Sequence, residues 1–442
     1  MSSKHCVVIG GGLAGLAAAY HLTQKRWRVT LVEATERLGG RVHSHRFGRA
    51  RELVCELGGE WIGNDHVEMQ RLCCAFNLPL QSHQYSSSFW NQKGRARLSA
   101  PGKWSLSADA ERRWKRLEKR YRDFDDADDR RMDKVDWWTY LEELGFSRED
   151  LVKRDLMDST DFGESIRQNS AYTAAAEYLS SPDQHVDETD EMDLKIVGGN
   201  SRLARALANA IGLDNIKTRW EVARVTQRNG RVTVSGHGKT PIRAHACVCA
   251  IPAHCLRSIT WHPALPQRTQ ESAERLQYAR ITKTAVLCSH RFWRQPAHSG
   301  FSVFTTLASD FCFDSTYLQQ GRKGILCSYS IGDKADDIAA SPLDKVKDWI
   351  VGDVAHANGH RWKSGTIRRV ALAVKQMAWQ RQRFTGGAYA LYRPGQWFTV
   401  RPALATPHEH VFFAGEHLAD WQGFMEGAVI TGKAAAEAAM GS

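Results

Sequence analysis

The stretch "CVVIGGGLAGLAAAYHL", residues 6–22, constrains this chain more than any other. An apolar strand over 6–9 runs into Gly10, Gly12 and Gly15, with a helix of small residues behind. The first glycine permits a tight turn, the second lets a pyrophosphate approach the backbone, and the third lets helix and strand pack closely. A second strand, "RVTLVE", ends in Glu33, about 20 residues further on and placed to accept from a ribose hydroxyl. Together they predict an α/β fold whose front end is a Rossmann-like dinucleotide site rather than a glycine-rich turn that binds nothing.

At 442 residues the chain is long enough for two domains, which makes a ligand site at their boundary the first expectation. No apolar run approaches the roughly 18 residues of a membrane helix, and "MSSKH" leads straight into a strand, so a cytoplasmic location is expected. Ten cysteines without paired spacing read as reduced, structural thiols, with no metal. The net charge of +11 is spread along the chain without a nucleic-acid module, so it reads as a basic surface rather than a polyanion site. The charged run at 109–136 carries Trp114, Leu117, Tyr121 and Phe124 at steps of 3, 4 and 3, which predicts a solvated helix packing one face.

"EATERLGGRV", residues 33–42, places Arg37 and Arg41 around Gly39-Gly40, where an extended cofactor needs a second set of phosphate contacts. "ELGGEWIG", residues 56–63, adds a turn at Gly58-Gly59, followed by Glu60 and Trp61, where backbone could approach a flat ring. On these motifs the chain resembles the flavin-containing amine oxidases, the group of monoamine, polyamine and L-amino-acid oxidases. The resemblance implies FAD, contacted by Gly10, Gly12, Gly15, Glu33, Arg37, Gly40, Arg41 and Gly58 to Trp61. It continues through "KIVGGNSRLARALANAIG" (195–212), the strands of 219–236 with Val222 on the adenine side, and "ACVCAIP" (246–252).

In the closing stretch "FFAGEHLADWQGFMEGAVITGKAAAEAA" (412–439), an apolar strand stops at Gly415 and a helix follows from Met425. The resemblance puts Gly415 and Glu416 on FAD, and Gly423, Phe424 and Met425 at the flavin's pyrimidine edge. There, helix N–H groups would stabilise the negative charge of the reduced ring. Glu426 reads as a buried acid capping its own helix start.

Residues 279–293 read as a strand with Ile281, Lys283, Ala285 and Leu287 on one face. A lysine there is an inward charge guarding an edge strand or a functional amine; the resemblance implies the second, holding a water beside the flavin. The segment 379–397 is similar to the family's stretch at the flavin face. Trp379 falls on the cofactor, Tyr389 on one wall of the aromatic cage and Phe424, in place of a tyrosine, on the other. Ala388 stands where monoamine oxidases carry a cysteine bonded to the flavin, so FAD is expected to be noncovalent. Trp61 replaces an arginine that some L-amino-acid oxidases use for the substrate carboxylate, leaving Arg393 as a substitute. Glu60, Asp161 and Glu164 are candidate partners for a distal ammonium, the last two reading otherwise as surface acids.

The resemblance implies a discontinuous FAD domain (1–82, 197–275, 380–442) and an α+β substrate domain (83–196, 276–379). It also implies hydride transfer from an amine-bearing carbon to flavin, imine hydrolysis and reoxidation by molecular oxygen to give hydrogen peroxide. The catalytic set is Lys283, Tyr389 and Phe424. The partners are an amine or amino-acid substrate and oxygen, with no nucleic acid and no membrane; a homodimer is left open. Rival readings are an L-amino-acid oxidase or monooxygenase, a carotene-type desaturase, and a flavin-binding scaffold without turnover.

Overall fold

A computed structural model describes the chain apart from residues 1–3, 49–52, 84–87, 93–94, 100–105, 180–193, 295–300, 421 and 442. Trp421 of the closing stretch therefore lies outside the described residues.

The front end folds as its glycines require. His5–Ile9 is a buried strand, and Leu13–Gln24 is the helix that follows it. Gly10 takes φ +104°, and a Cβ there would lie 2.6 Å from the Ala250 carbonyl oxygen. At Gly15 a Cβ would lie 1.9 Å from the Gly10 oxygen, so helix and strand pack only with hydrogen at that position. His5–Ile9 is the middle of a five-stranded, fully parallel sheet in the order Val411–Phe413, Ala246–Cys249, His5–Ile9, Arg28–Val32, Ile216–Lys217. Its residues alternate between two cores: Cys6 and Val8 pack with Leu16, Leu22 and Ala436, whereas Val7 and Ile9 pack with Val225, Trp261 and Tyr392. The closing helix, Met425–Gly441, lies on Leu13–Gln24. A four-stranded sheet, Ile242–Ala244, Arg231–Gly236, Val222–Arg228 and Thr260–His262, covers the other face.

The second layer system is a seven-stranded sheet, mostly antiparallel, in which Ile281–Cys288 pairs with Gly324–Ile331 on one side and Ala371–Ala378 on the other. All eight residues of Ile281–Cys288 are buried. Lys283 is therefore on an interior strand, which removes the edge-guarding reading. The expected alternation holds: Ala285 and Leu287 pack against the Ser44–Phe47/Leu53–Glu56 hairpin, while Val286 and Cys288 join the core under Leu343–Ala357.

A helical cluster completes the fold around Trp137, Leu141, Leu151 and Phe162. The single helix expected over 109–136 is two, Ala108–Tyr121 and Asp126–Met132. Asp125 breaks it, because its carboxylate accepts from the Ala127 and Asp128 N–H groups and starts a second helix with a capping box. Leu117 is buried, and Trp114, Tyr121 and Phe124 pack half-buried beside it.

Candidate active site

The glycine turns converge on one cavity of about 1140 Å³. At one end Glu33 faces into it with its carboxylate fixed: Oε2 accepts from the Gly11 N–H (2.7 Å), and Oε1 from the N–H and hydroxyl of Thr35 (2.8 and 2.7 Å). Arg37 is spent partly on its own turn, donating to the carbonyls of Val42 (2.8 Å) and Gly40 (2.5 Å). Arg41 donates to Glu416 Oε1 (2.6 Å) and to the Ala388 carbonyl (3.0 Å), and Glu416 also accepts from the Gly423 N–H (2.9 Å). One partly buried ion pair thereby ties the turns at 41, 388 and 415–423 around the cavity.

The residues expected at the cofactor line this cavity, Val222, Trp379 and Met425 included; Gly15 lies behind it, where it packs helix on strand. Two observations fit a dinucleotide. The space over Gly12 is open, the nearest atom to a Cβ there being the Gly40 Cα at 3.9 Å. His417 Nδ1 and Gln422 Oε1, on the cavity wall, are buried and have no hydrogen-bond partner among the described residues, so a polar ligand would satisfy them. Burial pushes His417 down to about 4, so its ring is neutral. Ala388 offers no thiol. Cys255 also lines the cavity, and burial pushes its thiol up to about 12, which keeps it protonated and unreactive.

Toward the second domain the wall becomes aromatic. Tyr389 stands beside Gly423, and its hydroxyl donates to the Thr160 carbonyl (2.8 Å) and lies 2.9 Å from the Tyr329 hydroxyl. Phe424 is held edge-on to His66, with ring centroids 5.4 Å apart. Lys283, 4% exposed, donates to Glu60 Oε2 (2.5 Å) and to the Gly58 carbonyl (3.1 Å). Glu60 is equally buried and accepts on its other oxygen from Lys195 (2.5 Å), whose ammonium lies 3.9 Å from the centre of the Trp61 ring. Burial alone would raise the Glu60 carboxyl, but the two ammonium groups outweigh it and hold it below the usual range. Burial opposes the charge on Lys283 too; Glu60 reverses that and holds Lys283 protonated.

Sequence reasoning missed both Lys195 and Tyr329: Lys195 opens the quoted stretch 195–212 but was given no role there, and Tyr329 lies in no motif. Three expectations need correction. Glu426 does not cap its own helix: its carboxylate accepts from the Glu68 and Met69 N–H groups (2.8 and 2.7 Å), capping Val67–Ala75 from across the fold. Arg393 is not on the cavity wall, because strand Ala390–Leu391 ends before it and its N–H is closed locally by the Gln396 side chain. Glu164 is neither a surface acid nor a cavity residue; it grips Arg280 with both oxygens (2.6 and 3.0 Å). Asp161 does line the cavity and accepts from the Tyr178 hydroxyl (2.7 Å).

The model of the family described as flavin containing amine oxidoreductase matches residues 13–440. An L-amino acid oxidase of Lachesis muta is 23% identical over 98% of this chain and 86% of its own length. An L-amino acid dehydrogenase of a Synechocystis strain is 23% identical over 100% and 95%. Among solved structures, putrescine oxidase bound to putrescine superimposes with a TM-score of 0.86 at 20% identity, covering 100% of this chain and 99% of that one. Cyclohexylamine oxidase from Brevibacterium oxydans gives 0.84 at 22%, covering 99% and 98%.

Proposed function

The chain belongs to the flavin-containing amine oxidoreductases, and from that premise we propose that it holds FAD noncovalently and oxidises a primary amine, with molecular oxygen as the electron acceptor. The observation that carries this reading is one cavity that joins the Glu33 and glycine-turn end to a buried lysine and the Tyr389 and Phe424 rings. FAD, when bound, supplies the acceptor for the hydride of the amine-bearing carbon.

The chain's own part is to present that carbon in the neutral-amine form. Tyr389 is immobilised through Thr160 and Tyr329, so the slot it forms with Phe424 is rigid and aligns a slender substrate. Water exclusion by these rings disfavours the ammonium form. Lys283, kept cationic by Glu60, adds a like charge that acts in the same direction and has no free pair with which to serve as a base. With its hydroxyl engaged by Thr160 and Tyr329, Tyr389 positions the substrate by its ring face.

A second reading, oxidation of L-amino acids, is favoured by the names of the relatives above. Against it, Trp61 stands on the cavity wall where, by the resemblance, some L-amino-acid oxidases carry an arginine for the substrate carboxylate. A buried carboxylate without a bidentate partner costs on the order of a hundredfold in efficiency. Phenethylamine and tryptamine are therefore expected to reduce the bound flavin anaerobically faster than phenylalanine and tryptophan. Faster reduction by the amino acids would select the second reading, and bleaching by neither would reject both. Denaturation is expected to release all the flavin into solution; flavin retained on the precipitate would refute noncovalent binding.

A further inference from the structure

Helix Arg148–Phe162 places Arg154, Met157, Asp158 and Asp161 along one face, and all four line the cavity beyond the aromatic rings. Arg154 is 8% exposed. Its guanidinium lies 4.1 Å from the Trp114 ring centre and 5.2 Å from that of Tyr178. Nε donates to Asp158 Oδ2 (3.0 Å). Nη2 lies 2.9 Å from the same oxygen but outside hydrogen-bond geometry, and it has no hydrogen-bond partner among the described residues. A guanidinium carries five N–H donors in a planar fork, so a nearly buried arginine that spends one of them is an acceptor site awaiting an acceptor.

The carboxylates around it already have donors. Asp158 takes the Trp137 indole N–H (2.9 Å), Glu118 that of Trp114 (2.6 Å) and Asp161 the Tyr178 hydroxyl. Their charge repels a dianion such as a phosphate about twice as strongly as a monoanion, and a planar monoanion matches the single fork that Asp158 already braces. Arg154 is also too far along the helix to serve a carboxylate next to the reacting carbon. Thr160, which holds the Tyr389 hydroxyl, is six residues away, roughly 9 Å of helix axis.

Resting on the amine-oxidase reading, we propose that Arg154 binds the carboxylate of an ω-amino carboxylate whose amine, several carbons away, reaches the slot between Tyr389 and Phe424. The test uses the FAD-loaded full chain and three probes of equal length: ε-aminocaproate, hexylamine and hexamethylenediamine. Anaerobic flavin reduction is expected to half-saturate with ε-aminocaproate at a concentration ~10-fold or more below that for hexylamine. Arg154→Lys keeps a cation for Asp158 but loses the fork, and it should remove most of that advantage while leaving flavin content and the hexylamine rate unchanged. Preference for the diamine, equal saturation by ε-aminocaproate and hexylamine, or an advantage that survives Arg154→Lys would overturn the assignment. Hexanoate, which has no amine to oxidise, separates the two levels: it should perturb the oxidised flavin spectrum in wild type and require ~10-fold more ligand in Arg154→Lys. If that holds while no amine reduces the flavin, the carboxylate subsite stands and the amine-oxidase reading falls. If amines reduce the flavin but hexanoate binds both proteins alike, the subsite falls alone.

Discussion

Two ammonium groups on one buried carboxylate leave a net positive charge in the wall of the cavity, and the cluster is asymmetric in what it tolerates. Removing either lysine leaves Glu60 with a partner, whereas Glu60→Gln leaves two cations buried without a counter-charge. Glu60→Gln is therefore expected to lower stability by about 3 kcal/mol or more, and Lys195→Met and Lys283→Met by distinctly less, as read by chemical denaturation. Lys283→Met should retain the flavin and slow its reduction or reoxidation; a variant matching wild type in both half-reactions would reduce Lys283 to a structural charge. At the opposite end, Glu33→Arg should abolish flavin retention, since a fixed acceptor becomes a donor; a yellow, fully loaded variant would refute the placement. Glu33 and Lys283 were legible because each breaks a local pattern, an acid ending an apolar strand and a cation inside one. Lys195 was not: it sits in the three-residue strand Leu194–Ile196, and Glu60, which gives it meaning, is 135 positions away.

Elements were legible where one period governs them and illegible where a side chain from elsewhere decides. The strands at 5–9, 28–32, 246–249 and 281–288 follow from apolar runs and alternation. The break after Tyr121 went unread because the apolar spacing continues across it, while Asp125 offers the backbone a competing set of bonds. The start of Val67–Ala75 shows the same limit. His66 at its N-cap makes no side-chain cap bond, and Glu426, more than three hundred residues later, supplies the acceptor. Glu426→Ala should cost ~1 kcal/mol or somewhat more, a lower melting temperature with the flavin spectrum retained. An unchanged melting temperature would show the cap to be energetically idle.

Over the whole molecule, the hairpin packed on the seven-stranded sheet carries a second buried acid. Glu56 ends the strand Leu53–Glu56 and accepts from the Asn200 N–H and the Ser44 hydroxyl (both 2.9 Å). Burial pushes its carboxyl up to about 7, against the pull of the Asn200 N–H. Because the folded value lies above the unfolded one, the native state holds the extra proton between about pH 4.5 and 7, and stability falls as pH rises through that window. The full effect is roughly 3 kcal/mol. Glu56→Gln should therefore melt higher than wild type at pH 8, with the gap closing toward pH 5; a gap independent of pH would reject the shift.

The order of strands in the parallel sheet has a consequence for how the protein is made. Its central strand is synthesised first, yet its outer neighbours come from residues 246–249 and 411–413, and the helix that seals it comes from 425–441. On a ribosome, the nucleotide turn emerges hundreds of residues before the chain that closes over it, so cofactor capture has to wait until residues 411–441 have followed. A message truncated before codon 411 would yield a polypeptide with its loading motif intact and no means of retaining the load.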